Sequence, residues 1–192
     1  MKLLFATTNQ GKVEEAVQLL SECSVELLLL NDFPKLHSVV AEESGKTFKA
    51  NAFIKAKAYG DVAQILTLAE DAGLVVSALN GRPGVHSARF GVSVDSRNQK
   101  LLKMLAGKKD RFAKFVSVLC LYDPVTEKAQ YFTGEVKGKI ANEIRGNLGF
   151  GYDPLFIPDG FDETFGELGN EVKNKISHRK QAMEKFKILV LS

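Results

Sequence analysis

Phe5-Ala6-Thr7-Thr8-Asn9-Gln10-Gly11-Lys12-Val13-Glu14-Glu15 ends a short apolar run in a hydroxyl- and amide-rich turn with one glycine, and a helical pattern begins at Lys12. This reads as a strand, a tight loop and a helix N-terminus. Thr8 or Asn9 is placed to cap the helix. A turn of this kind presents several backbone N–H groups at the positive end of a helix dipole, which suits phosphate or another anion. Lys12 adds a point charge. The spacing is not that of a Walker A loop, which needs two glycines flanking four residues and a Ser or Thr after the Lys.

Working outward, Lys2 to Ala6 forms the strand, and Val13, Ala16, Val17 and Leu20 recur at helical spacing. Val25 to Leu30 is a continuous apolar run that suits a strand buried on both faces. The opening is therefore β-α-β. Asn31 to Lys46 is a polar loop carrying the acid pair Glu42-Glu43, and a helix is expected from Thr47 to about Gly60. Ile65 to Ala69 reads as another inner strand, interrupted by Glu70-Asp71-Ala72-Gly73 before Leu74 to Leu79 resumes the apolar run. Asn80 to Gly84 has turn composition. Asp95 can cap a helix through Ala106, with Leu101, Leu102 and Leu105 on one face and Gly107 as its stop. Phe112 to Tyr122 and Ala129 to Val136 flank Asp123 to Lys128 as a hairpin. Ser177 can cap a last helix whose Ala182, Phe186, Leu189 and Val190 form an apolar stripe. The pattern is one α/β domain over residues 1–192.

At 192 residues the chain can bury a substantial core. No apolar run reaches membrane-spanning length, and the N-terminus lacks a signal-peptide pattern, so a cytoplasmic protein without membrane partners is expected. Cys23 and Cys120 lie in apolar surroundings, as buried free thiols do. His37, His86 and His178 are too widely spaced to write a zinc motif. A net charge of +3 is too small to imply nucleic acid and is compatible with an anionic small substrate.

Four features could carry chemistry: the turn at 7–12, the acids Glu42, Glu43, Glu70 and Asp71, the loop Gly149-Phe150-Gly151-Tyr152-Asp153, and Ser177-His178-Arg179. Acids wedged between apolar runs pay a desolvation cost unless paired or bound to a cation, and hard oxygen ligands suit magnesium bridging to phosphates. In the glycine loop the backbone can approach a ligand closely, and Phe150 or Tyr152 offers a flat face for a base; alternatively those aromatics plug the core.

Taken together, Thr7-Thr8-Asn9-Gln10-Gly11-Lys12, Glu42-Glu43-Ser44-Gly45, Glu70-Asp71-Ala72-Gly73-Leu74, Pro83 to Arg89, Phe150-Gly151-Tyr152-Asp153-Pro154-Leu155-Phe156 and Ser177-His178-Arg179 resemble the pyrophosphatases of non-standard purine nucleoside triphosphates. These are also called the inosine and xanthosine triphosphate pyrophosphatase family. The resemblance runs in order from residue 3 to about residue 187. It implies a magnesium-dependent hydrolase that converts inosine or xanthosine triphosphates, and their deoxy forms, to the monophosphate and pyrophosphate. It also implies an elongated mixed sheet flanked by helices, in two lobes with a nucleotide cleft between them, and a homodimer.

On the matching positions the resemblance gives Thr7, Thr8, Asn9, Gln10, Gly11 and Lys12 the phosphates. Asp71 becomes the general base and a metal ligand, and Glu42, or its neighbour Glu43, the second ligand. Ala72, Phe150, Gly151, Tyr152, Asp153, Lys173, His178 and Arg179 fall to the nucleotide. Many members of that family carry an acid at the position of Ala50, Asp at Glu70 and Ser at Ala72. Two other readings of the same features are a pyrophosphatase for modified pyrimidine or methylated nucleotides, and a nucleotide-binding module without turnover.

Overall fold

The computed structural model describes residues 1–191, with side chains through Leu189. The described residues form six strands and five α-helices: β1 (Lys2–Phe5), α1 (Gln10–Leu20), β2 (Glu26–Leu29), α2 (Phe48–Ala63), β3 (Thr67–Val76), α3 (Val94–Met104), β4 (Phe112–Asp123), β5 (Lys128–Ile140), β6 (Phe156–Pro158), α4 (Phe165–Ile176) and α5 (His178–Leu191). The sheet order is β2-β1-β3-β4-β5-β6. β1 is parallel to both β2 and β3, in register Phe5 with Leu29 and Phe5 with Leu68. A four-residue turn joins β4 to β5, and only antiparallel neighbours can be joined so tightly. β6 is antiparallel to β5. The sheet is thus mixed and the fold α/β, as expected.

The chain divides into two compact units. The first holds residues 1–71, 117–134 and 181–192, and the second holds 72–116 and 135–180. Their boundaries fall inside β3, β4, β5 and α5, so neither unit is a single contiguous segment. In the first unit, Leu3, Phe5, Val13, Ala16, Leu68, Leu119, Ala182, Met183 and Phe186 form the core. In the second, Leu74, Val76, Leu101, Leu105, Phe115, Tyr152, Phe156 and Phe165 do the same. Each large apolar side chain buried in this way contributes about 1.5–3 kcal/mol.

Several expectations need correction. Glu70 to Gly73 does not break the strand: β3 runs through both acids, because their side chains find partners there and the backbone ladder need not be interrupted. β2 is an edge strand whose side chains are half-buried or exposed. Its apolar run reflects packing of Leu27 and Leu29 against one core, not burial on two faces. α3 is capped by Ser93, whose hydroxyl accepts the Ser96 N–H, so Asp95 lies inside the first turn. α4 was not anticipated; a glycine in the left-handed region, Gly169, kinks it and hides its period. In α5, Ala182, Met183 and Phe186 make the apolar stripe while Leu189 is exposed; Val190, expected in that stripe, has its side chain outside the described residues. Both cysteines are free, but Cys23 is only half-buried. Buried Cys120 has its thiol pushed up to about 12 by desolvation, which keeps it protonated and unreactive. No helix among the described residues is long and apolar enough to cross a membrane.

Candidate active site

In the first unit the turn after β1 caps the helix that follows it. Asn9 is the N-cap of α1, its Oδ1 accepting the Lys12 N–H at 3.1 Å, and Thr7 Oγ1 accepts the Asn9 N–H at 3.2 Å. Thr8, Asn9 and Gln10 stay exposed, with Thr7, Gly11 and Lys12 half-buried. Lys12 reaches toward β3, where its Nζ lies 3.4 Å from the Glu70 carbonyl. Lys55, on α2, donates to that same carbonyl at 3.1 Å. Two ammonium groups from two helices therefore converge on the backbone just before Asp71.

Successive side chains of a strand point to opposite faces, and the two acids of β3 have correspondingly different fates. Glu70 is fully buried; its Oε1 accepts from Ser117 Oγ at 2.7 Å and its Oε2 lies 3.5 Å from Lys12 Nζ. It buttresses Lys12. Asp71 has one oxygen held by Asn51 Nδ2 at 3.2 Å. Burial raises its carboxyl above the ordinary range; Lys55, Lys12 and the Asn51 hydrogen bond oppose that, and the charge of Glu43 adds to it. Asn51 also accepts the Gly45 N–H at 2.8 Å, so one amide ties the acidic loop to Asp71. In that loop Glu43 pairs with Lys55 at 2.5 Å, and Glu42 is exposed.

A buried carboxylate that carries the charge of a second acid nearby, in a setting of hard oxygens, fits a divalent cation. Among the described residues no group of three or more His, Cys, Asp or Glu forms a ready-made metal site. A cation here would rest on Asp71 and one acid of the 42–43 loop, with water and substrate phosphates supplying the rest, the usual pattern for a small hard cation.

The second unit gathers the remaining candidates. Lys173 and Asp153 form a buried ion pair of 2.6 Å, each side chain 2% exposed. The Asp153 Oδ2 also accepts the Phe150 N–H at 2.7 Å. Gly149 sits at φ +75, and a Cβ there would come within 2.2 Å of that carboxylate, so only glycine lets the loop close over Asp153. Phe150 is half-buried with Lys173 Nζ 4.2 Å and Arg179 Cζ 5.6 Å from its ring centroid. Arg179 is 1% exposed, and His178 stacks its ring on Phe115 at 4.8 Å and 11°. The core-plug reading of the loop aromatics holds for Tyr152, which is buried in the core with its hydroxyl donating to the Ser87 carbonyl at 2.9 Å, whereas Phe150 lies beside the cations of Lys173 and Arg179. Ala72, next to Asp71 in β3, is half-buried.

Residues 3–189 match the Ham1 family. The chain belongs to the Ham1 family. A dITP/XTP pyrophosphatase of Aquifex aeolicus is 42% identical over 198 residues, covering 97% of this chain and 95% of that protein. A dITP/XTP pyrophosphatase of Methanopyrus kandleri is 44% identical over 187 residues, covering 97% and 94%. Among solved structures, a HAM1 protein from Coxiella burnetii superposes with a TM-score of 0.90 at 34% identity, covering 100% of this chain and 98% of that one.

For this Ham1-family chain, sequence reasoning missed Asn51 and Lys55. Both lie on α2 at i and i+4, so they share a face. That spacing was available, but nothing in it says which face meets β3. Their partners, a carboxylate and a carbonyl separated from them by 20 and 15 residues, appear only with the fold.

Proposed function

We propose that this Ham1-family enzyme is a nucleoside triphosphate pyrophosphatase that hydrolyses inosine and xanthosine triphosphates, and their deoxy forms, to the monophosphate and pyrophosphate. The observation that carries the chemistry is the convergence of Lys12 and Lys55 beside Asp71. The substrate class follows from relatives named for dITP and XTP that match nearly end to end.

The N-terminus of α1, Lys12 and Lys55 hold the phosphate chain, as cationic and N–H donors do for such anions. Asp71, with Glu42 or Glu43, would hold magnesium, which on binding neutralises phosphate charge. Asp71 orients the attacking water and accepts its proton as the new O–P bond forms; the α–β anhydride bond breaks, and pyrophosphate leaves with the electron pair. Thr7, Thr8, Asn9, Gln10 and Gly11 line the phosphates, and Ala72 contacts the nucleotide. Phe150, Gly151, Tyr152, Asp153, Lys173, His178 and Arg179 handle the nucleoside end, Tyr152 by fixing the loop from within the core.

Inosine and xanthosine present a keto acceptor at position 6, which an Arg or backbone N–H satisfies. Adenine presents an amino donor there and leaves the protein donor unpaired, a mismatch that sites built on hydrogen bonds reject strongly. Rejection of guanine falls on its 2-position. We place the enzyme in the cytoplasm as a single-domain homodimer, in keeping with the family it resembles. Rates across inosine, xanthosine, adenosine, guanosine and thymidine triphosphates, with and without magnesium, test the assignment. The keto purines other than guanine should lead, and only with the cation; faster thymidine triphosphate cleavage would overturn the substrate class.

A further inference from the structure

We infer that Asn98 is a positioning residue for base recognition, an inference that rests on the function proposed above. Asn98 lies on α3 in line with Leu101, at i and i+3, on the buried face of that helix, which the C-cap residue Leu105 extends. It is 2% exposed. Its Nδ2 donates to the Gly151 carbonyl at 3.2 Å. The acceptor fixes the orientation of the amide, because only the NH2 group can answer a carbonyl. The other half, Oδ1, is buried with no hydrogen-bond partner among the described residues. An apolar residue on this face would avoid that desolvation, so the bond to Gly151 is what the amide contributes here.

Gly151 sits between Phe150, which the proposed function places at the nucleoside end, and Tyr152, which is anchored in the core. Its neighbour Phe150 is pinned through its N–H by Asp153, and Tyr152 is pinned through its hydroxyl by the Ser87 carbonyl. Gly151 itself has φ +66 and nothing within 4 Å of where a Cβ would be, so local packing does not restrain it. Asn98 supplies the missing restraint. The three bonds together hold the backbone of residues 150–153 from the core side, and with it the ring of Phe150 and the carboxylate that pairs with Lys173.

Steady-state kinetics of the full chain with magnesium test this, comparing wild type with Asn98→Leu, which fills the position without a donor, and Asn98→Ala, which empties it. Each variant should raise KM for inosine triphosphate by about tenfold with kcat changed less than about threefold, the signature of lost uniform binding. The kcat/KM ratio of inosine over adenosine triphosphate should fall by a similar factor, about tenfold, since a loosened loop no longer enforces donor geometry. Inhibition by inorganic tripolyphosphate, which has no base, should be unchanged. An unchanged KM and ratio in a folded variant would overturn the inference, as would equal weakening of tripolyphosphate inhibition. Failure of both variants to fold would also overturn it, by assigning the amide to helix packing. Absence of inosine triphosphate turnover in the wild type would instead count against the proposed function.

Discussion

Asp71 is harder to ionise than an ordinary aspartate because burial outweighs its two lysines and its amide partner. Its native carboxyl holds a proton at higher pH than the unfolded one. In metal-free protein that difference favours folding below about pH 3.8 and is lost as pH rises through the raised native value. Asp71→Asn, which cannot ionise, should therefore have the higher melting temperature at pH 7 in chelator, by a few degrees at about 2–4 °C per kcal/mol, and should lose that advantage in acid. Equal melting at both pH values would contradict the burial argument. The same variant should lower kcat by about 10²–10⁴-fold while retaining nucleotide affinity, as expected for loss of a general base. Lys55→Ala should raise KM for the triphosphate by about tenfold or more, with a smaller effect on monophosphate inhibition; equal losses would place Lys55 away from the outer phosphates. At this scale the sequence singles out residues that lie in compact motifs, such as Asn9, which caps α1. Asn51, Lys55 and Asn98 stayed hidden because each acts through a polar contact to a distant segment, and neither spacing nor composition records such a contact.

Elements carry the site through their ends and their buried faces. β3 is the clearest case: its acids look like a break in a strand, yet the strand continues because Ser117 and Lys12 satisfy Glu70 on one side and Asn51 satisfies Asp71 on the other. Sequence patterning treats a buried charge as a penalty and cannot see partners that cancel it. The loop from Gly149 to Asp153 and the helix α4 are joined by the buried pair Asp153–Lys173. Removing either partner should destabilise the protein by about 3–5 kcal/mol, because the other charge is left uncompensated. Asp153→Asn combined with Lys173→Met should cost less than the sum of the single changes when unfolding is followed in urea. Additive losses would mean that the two side chains act independently. α4 itself was missed because its interior Gly169, at φ +72, divides the run that periodicity would have to span.

The whole molecule was more legible than its parts. The β-α-β opening, the later hairpin and the α/β class follow from period and turn chemistry, and the mixed sheet and the identity of the Ham1 family follow from six short motifs in order. What the motifs could not reveal was their distribution: the turn at 7–12, the acids of the 42–43 loop and Asp71 lie in the first unit, and the Phe150 cluster lies in the second. Sedimentation of the purified chain should give the mass of two copies if it is the proposed homodimer; a single copy would rule that state out. The most direct test of the account is the phosphorus NMR spectrum of inosine triphosphate incubated with the protein and magnesium. Inosine monophosphate and pyrophosphate should grow in together, neither should form without the cation, and with Asp71→Asn both should form at least about 10²-fold more slowly. An unchanged spectrum, or diphosphate and inorganic phosphate as the products, would contradict it.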